Sequence, residues 1–167
     1  ADAGQEVGDP VKVGIPCEIK VHEYRVGLTP VGVRELVTRG HEVFIEQGAG
    51  LGSRITDEEF AREGATILAG ADDVWGTAEM VLKVKEPIAG DLQHLRKDHL
   101  LFCYLHLAPE PELTKRLLQI GLTGIAFETV ELDNGDLPLL APMSIIAGRI
   151  AIQIGTHLLH QPAGGKG

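Results

Sequence analysis

The sequence predicts an α/β protein built on a doubly wound, mostly parallel sheet, with helices on both faces and a long C-terminal helix. Two observations predict it. Short apolar runs alternate with helical patterns, the arrangement that crossover helices impose on parallel strands. The chain has 167 residues, 44% hydrophobic and 23% charged, enough for one core-bearing domain and ordinary for a globular protein.

Val11 to Ile15 reads as the first strand, stopped by Pro16. A polar loop from Cys17 to Thr29 follows, carrying Glu18, Lys20, His22, Glu23 and Arg25. Thr29 and Pro30 open a helix as N-cap and first helical residue; Val33, Leu36 and Val37 keep helical spacing and Gly40 ends it. Glu42 to Ile45 is the second strand, with a glycine-rich turn behind it. Thr56-Asp57-Glu58-Glu59 has the capping-box pattern of a helix ending near Gly64. Ala65 to Leu68 is a short strand, Asp72 to Trp75 a short helix, Met80 to Lys83 a strand, and Asp91 to Leu95 a helical turn. Leu100 to Leu105 is a strand, Pro111 to Gln119 a helix ended by Gly121, and Thr123 to Phe127 the last strand. A turn at Asp133-Asn134-Gly135-Asp136 precedes the final helix, Pro142 to His160. The whole is a Rossmann-like or flavodoxin-like three-layer pattern. Residues 1–10 are expected to be a flexible leader, 11–160 the domain, and 161–167, ending Gly164-Gly165-Lys166-Gly167, the start of a linker.

The formal net charge of -9 repels nucleic acid and anionic lipid, so neither is expected as a partner. The longest apolar stretch is cut by Arg149 and Gln153, so no membrane span is expected. Cys17 and Cys103 stand far apart, without zinc spacing or a disulfide framework, and read as reduced thiols of a cytoplasmic protein. His157 and His160 lack further ligands and read as surface residues, so no metal is expected.

Two apolar runs lead straight into titratable groups: Met80-Val81-Leu82 into Lys83 and Lys85, and Leu100 to Leu105 into His106. If both are buried parallel strands, an amine and an imidazole share the carboxyl edge, where open α/β sheets bind ligands. Strand alternation would put Lys83 and Lys85 on one face, repelling unless an anion or carboxylate sits between them. The simpler reading is a lysine snorkelling to water. His106 could exchange a proton near neutral pH, or it could be a structural histidine bonded to a backbone carbonyl; the residues do not choose. Tyr104 and Glu128 are similar cases, and Glu128 ends the last strand. Lys85, His106 and Glu128 therefore mark three strand ends. Arg25 could clamp a carboxylate bidentately, although a solvated arginine paired with Glu18 or Glu23 is the simpler reading. Gly48-Ala49-Gly50-Leu51-Gly52 departs from the dinucleotide fingerprint, since Ser53 stands where the third glycine belongs and no helix opens before Thr56; it reads as a tight turn.

Several motifs resemble the alanine dehydrogenase/nicotinamide nucleotide transhydrogenase family, and the alanine dehydrogenase branch in particular. They are Gly14-Ile15-Pro16 with Glu18, Lys20, Glu23 and Arg25-Val26; Lys83-Val84-Lys85-Glu86-Pro87; Leu105-His106-Leu107; and Ala126-Phe127-Glu128-Thr129. Leu139-Leu140-Ala141-Pro142-Met143-Ser144 with Ala147-Gly148-Arg149 completes the set. The resemblance runs from about Val11 to Gly167. It implies the N-terminal, substrate-side catalytic domain of an NAD-dependent enzyme interconverting L-alanine with pyruvate and ammonia. Arg25 and Lys85 would bind the substrate headgroup and His106 would be the acid/base. Tyr104 and Glu128 would shape the pocket, and Ser144 would touch the cofactor. NAD would be held mainly by a domain beyond Gly167, so the isolated polypeptide is expected to be inactive. A homo-oligomer, a hexamer, is implied, with the final helix as interface. The related transhydrogenase subunit passes hydride between nucleotides and needs no small-acid cage. A stand-alone 2-oxo acid binding module would keep Arg25 and Lys85 but not need His106.

Overall fold

The computed structural model describes residues 9–167; the leader assigned to residues 1–10 lies outside them except for Asp9 and Pro10, which are exposed. The chain divides into two compact units, Ala1–Ala126 and Phe127–Gly167.

The first unit is the sheet. Its strands are β1 (Lys12–Ile15), β2 (Glu42–Glu46), β3 (Thr66–Leu68), β4 (Met80–Leu82), β5 (Leu100–Cys103) and β6 (Thr123–Ala126). Its helices are α1 (Pro30–Thr38), α2 (Asp57–Arg62), α3 (Ala71–Thr77), α4 (Ala89–Leu92) and α5 (Pro111–Ile120). The strand order is β3-β2-β1-β4-β5-β6 and every pairing is parallel. The chain thus winds outward to β3, returns through α3 to place β4 beside β1, and winds outward again to β6. Winding reverses between β1 and β4, and the crevice at the carboxyl ends of such a pair is where open α/β sheets take ligands.

Strands covered on both faces need apolar side chains on both, and Val13, Ile15, Val43, Ile45, Val81, Leu101 and Cys103 are buried. On one face Trp75 of α3, Ala78 at its C-cap and Leu117 of α5 join a cluster with Val81, Leu101 and Cys103. Gly14 lets β1 lie close to α3, since a Cβ there would stand 2.6 Å from that of Ala78. On the other face Leu28 and Leu36 face Val13, Met80, Leu82 and Phe102 across an apolar groove of about 360 Å³. The helix starts follow their capping residues. Thr29 Oγ1 accepts the Gly32 N–H, and Thr56 and Glu59 form the reciprocal capping box, worth about 1 kcal/mol.

Three strands end sooner than the sequence predicts. β4 ends at Leu82, β5 at Cys103 and β6 at Ala126. Beyond Leu82 the Val84 and Lys85 N–H groups turn to the Glu18 carboxylate, at 2.6 and 3.4 Å. Pairing does not stop abruptly: Lys83 N–H donates to the Phe102 carbonyl and Tyr104 N–H to that of Val84, both at 3.1 Å. The two segments past the strand ends therefore stay side by side.

In the second unit a 3-10 turn, Phe127–Thr129, and a tight turn centred on Gly135 (φ 85°) lead to α6 (Ala141–Leu159). Helix α6 carries exposed Ile145, Ile150, Ile152 and Leu158, so it is apolar on more than one side. His157 and His160 are exposed, as expected, with their rings edge-on at 6.3 Å. Among the described residues no helix is long and apolar enough to cross a membrane, and both cysteines are free thiols.

Candidate functional site

Three segments leave the carboxyl edge around the point of reversal: the loop 17–29 after β1, Lys83 to Glu86 after β4, and Tyr104 to His106 after β5. The loop after β1 is fastened to β4 by a buried ion cluster. Glu18 receives Lys83 Nζ at 3.2 Å, and Asp91 lies 3.6 Å from the same ammonium. All three side chains are nearly inaccessible. Lys83 therefore does not share an exposed face with Lys85: it closes the core, while Lys85 sits half-buried in a bend beyond the strand. Gly27 brings the loop against β4, because a Cβ there would meet the Leu82 carbonyl oxygen at 2.7 Å. The glycine-rich turn after β2 supports the same loop. A Cβ at Gly52 would stand 2.5 Å from the Tyr24 carbonyl oxygen, which also accepts the Ser53 hydroxyl at 3.1 Å. These glycines are used for close packing of protein on protein, so the turn does not form a pyrophosphate cradle.

Arg25 follows Tyr24. Glu23 grips its guanidinium in a fork, Nε to Oε1 at 2.8 Å and Nη2 to Oε2 at 2.6 Å. The simpler pairing read from the sequence is thus present. The hydrogen bonds from Arg25 hold the Glu23 carboxyl below the usual range against the opposing effect of burial, and the nearby Lys85 ammonium adds to them. Glu23 engages the Nε/Nη2 edge of the guanidinium. Arg25 also feels Tyr104 and Glu18, which places it at the same edge as the β4 and β5 segments.

His106 has φ 47°, a left-handed conformation uncommon for a residue with a side chain. Its ring stacks on that of buried Tyr104 (centroids 5.9 Å apart, planes at 24°), and Nδ1 lies 3.0 Å from Glu86 Oε2. Glu86 is 7% exposed, and Lys20 ion-pairs with its other oxygen. Burial pushes the Glu86 carboxyl up, but the hydrogen bonds from Lys20 and His106 outweigh it and keep the group below the usual carboxylate range. An ionised carboxylate only accepts, so Nδ1 carries the hydrogen toward it.

Arg25, Lys85, Tyr104 and His106 thus lie on one edge of the first unit. Glu128 and Ser144 belong to the second: Glu128 does not end a strand but sits in the Phe127–Thr129 turn, because the chain leaves extended geometry after Ala126. Ser144 lies in the first turn of α6, its N–H donating to the Leu140 carbonyl at 3.1 Å. The roles of Glu18, Lys20 and Glu86 did not emerge from the sequence. The signal was the density of alternating charge in the 17–29 loop opposite the Lys83 to Glu86 run. Two cations beside a carboxylate-bound imidazole suit a small organic anion whose reaction builds negative charge on oxygen and moves protons.

Residues 14–147 match the family described as alanine dehydrogenase/PNT, N-terminal domain. An alanine dehydrogenase of Methanococcus maripaludis is 56% identical over 155 residues, covering 93% of this chain and 42% of that protein. A solved L-alanine dehydrogenase structure superposes with a TM-score of 0.85 at 52% identity, over 93% of this chain and 43% of the other. The crystal structure of transhydrogenase from Sinorhizobium meliloti is more distant, with a TM-score of 0.66, 33% identity and 70% of this chain covered. The chain spans less than half the length of the curated relatives it matches.

Proposed function

The chain belongs to the alanine dehydrogenase/PNT N-terminal domain family, and from that premise we propose that it is the substrate-binding catalytic part of an NAD-dependent L-alanine dehydrogenase, an oxidoreductase. The reaction takes L-alanine, NAD and water to pyruvate, ammonia and NADH. The observation that carries the reading is the grouping of Arg25, Lys85 and a carboxylate-bound His106 at the point where the sheet reverses.

Arg25 holds the substrate carboxylate and fixes the α-carbon in place. Lys85 stabilises negative charge on the carbonyl or carbinolamine oxygen. His106 takes a proton from the attacking water as the imine is hydrated, and moves the proton again as the carbinolamine collapses. Tyr104 shapes the pocket on the first unit, and Glu128 and Ser144 are the second unit's candidates for substrate and cofactor contact. NAD would supply the hydride acceptor, although the glycine-rich turn of this chain does not fit its pyrophosphate. The substrate partners are L-alanine, pyruvate and ammonia. The protein is cytoplasmic and assembles as a homo-oligomer, a hexamer, through the exposed apolar surface of α6. The partnership of His106 with a carboxylate favours proton chemistry over a module that only binds a 2-oxo acid.

The test is NADH formation from L-alanine by the full-length protein, compared with its Arg25→Lys variant. Lysine cannot reproduce the fork, so KM for alanine and pyruvate should rise about 10- to 100-fold, the loss of one charge-assisted hydrogen-bond pair. Unchanged KM for both substrates would remove Arg25 from the site.

A further inference from the structure

We propose that Glu86 is a positioning residue for the acid/base: its carboxylate holds His106 as the Nδ1–H tautomer, which makes Nε2 the atom that takes and returns the proton. The inference rests on the reading of His106 as acid/base given above.

Four features of the structure carry it. Glu86 Oε2 is 3.0 Å from Nδ1, and the opposite oxygen is bound by Lys20, so the carboxylate cannot rotate away without breaking an ion pair. The carboxylate is almost wholly buried, and Pro87 immediately behind it restricts the backbone that carries it. Tyr104 stacks on the imidazole and sets the plane of the ring. The left-handed backbone of His106 costs about 1–3 kcal/mol, a strain typical of residues aimed by their surroundings. Among the groups facing the ring are Glu86 from the segment after β4 and, through it, Lys20 from the loop after β1, with Tyr104 from the segment after β5.

The consequence for the proton step is specific. When substrate water loses a proton, Nε2 gains it, the ring becomes an imidazolium, and the adjacent carboxylate stabilises that charge without being protonated. The arrangement follows the general logic of a base oriented by a third group.

The experiment compares the full-length protein with its Glu86→Gln and Glu86→Asp variants. Carbethoxylation of His106 by diethyl pyrocarbonate, followed by peptide mass spectrometry, reads the ring whatever the activity; kcat across pH reads the catalysis. Glu86→Gln keeps the shape but loses the charge. It should move the onset of His106 modification, and the acid limb of kcat, to lower pH. It should also reduce kcat about tenfold or more while leaving KM for pyruvate within about twofold. Glu86→Asp should recover part of both. Unmoved modification and kcat profiles in Glu86→Gln would overturn the proposal. A moved modification profile with unaltered kcat would keep the pairing and overturn His106 as the acid/base, so the two readings fail separately.

Discussion

His99 and His106 flank strand β5, one just before its first residue and the other three residues after its last. His99 is 1% exposed. Its Nδ1 accepts the Arg96 N–H at 3.2 Å and its Nε2 donates to the Trp75 carbonyl at 3.1 Å, so it is the neutral Nε2–H tautomer. Burial first, and the Arg96 charge second, hold its proton affinity below the ordinary histidine range. With Arg96, which donates to the Trp75 and Ala78 carbonyls at 2.6 and 3.2 Å, it closes the C-terminal end of α3. His106 has the opposite hydrogen on its ring, a carboxylate partner, a strained backbone and a 42% exposed side chain. Side-chain type does not separate them. Their position on a parallel sheet does: at the amino edge a histidine meets the orphan carbonyls of incoming helices, and at the carboxyl edge it meets loops bearing charge.

Substitution should separate the two residues most sharply in turnover. In the full-length protein His106→Ala should lower kcat in both directions by about a hundred- to ten-thousandfold, with thermal unfolding little changed. An active variant would remove the contrast altogether. Lys83→Met asks whether the carboxyl edge is also structural. It strands Glu18 and Asp91 as buried carboxylates and should cost about 3–5 kcal/mol in urea unfolding. His99→Ala leaves the Trp75 carbonyl and the Arg96 N–H less well satisfied and should cost about 2–4 kcal/mol, with kcat of the folded fraction preserved. A sign follows from the depressed proton affinity of His99. The unfolded chain binds the proton more readily, so this contribution is complete above the ordinary value of 6.5 and is lost as pH falls below it. His99→Gln should flatten that acid loss in urea titrations, and an unchanged pH slope would contradict the assignment. The smallest effect is expected at Cys17, beside the site. Burial and Glu46 push its thiol up to about 12, so iodoacetamide at pH 8 should leave it unmodified in the folded protein.

Much of this was legible in the sequence. The alternation of apolar runs with capped helices gave the parallel sheet, and Thr29, Pro30 and the Thr56 box marked helix starts to within a residue. Strand ends were not legible, because the group that ends β4 is Glu18, a carboxylate 66 residues from Val84 in the chain. The same distance hid the fate of Lys83: alternation alone placed it with Lys85, and only the arrival of Glu18 and Asp91 turns it into the core. Arg25, Lys85 and His106 stood out because each follows a strand end or fills a charged loop. Glu86 did not, since a carboxylate before a proline reads as punctuation until the histidine of the next strand comes to face it. His99 gave no signal, as its partners are backbone atoms of Arg96 and Trp75.

The most direct measurement is a crystal structure of the full-length protein with pyruvate. The carboxylate of pyruvate should lie on the Arg25 guanidinium and its keto oxygen about 2.7–3.2 Å from Lys85 Nζ. Pyruvate bound away from the carboxyl edge, or with its carboxylate remote from Arg25, would contradict that placement.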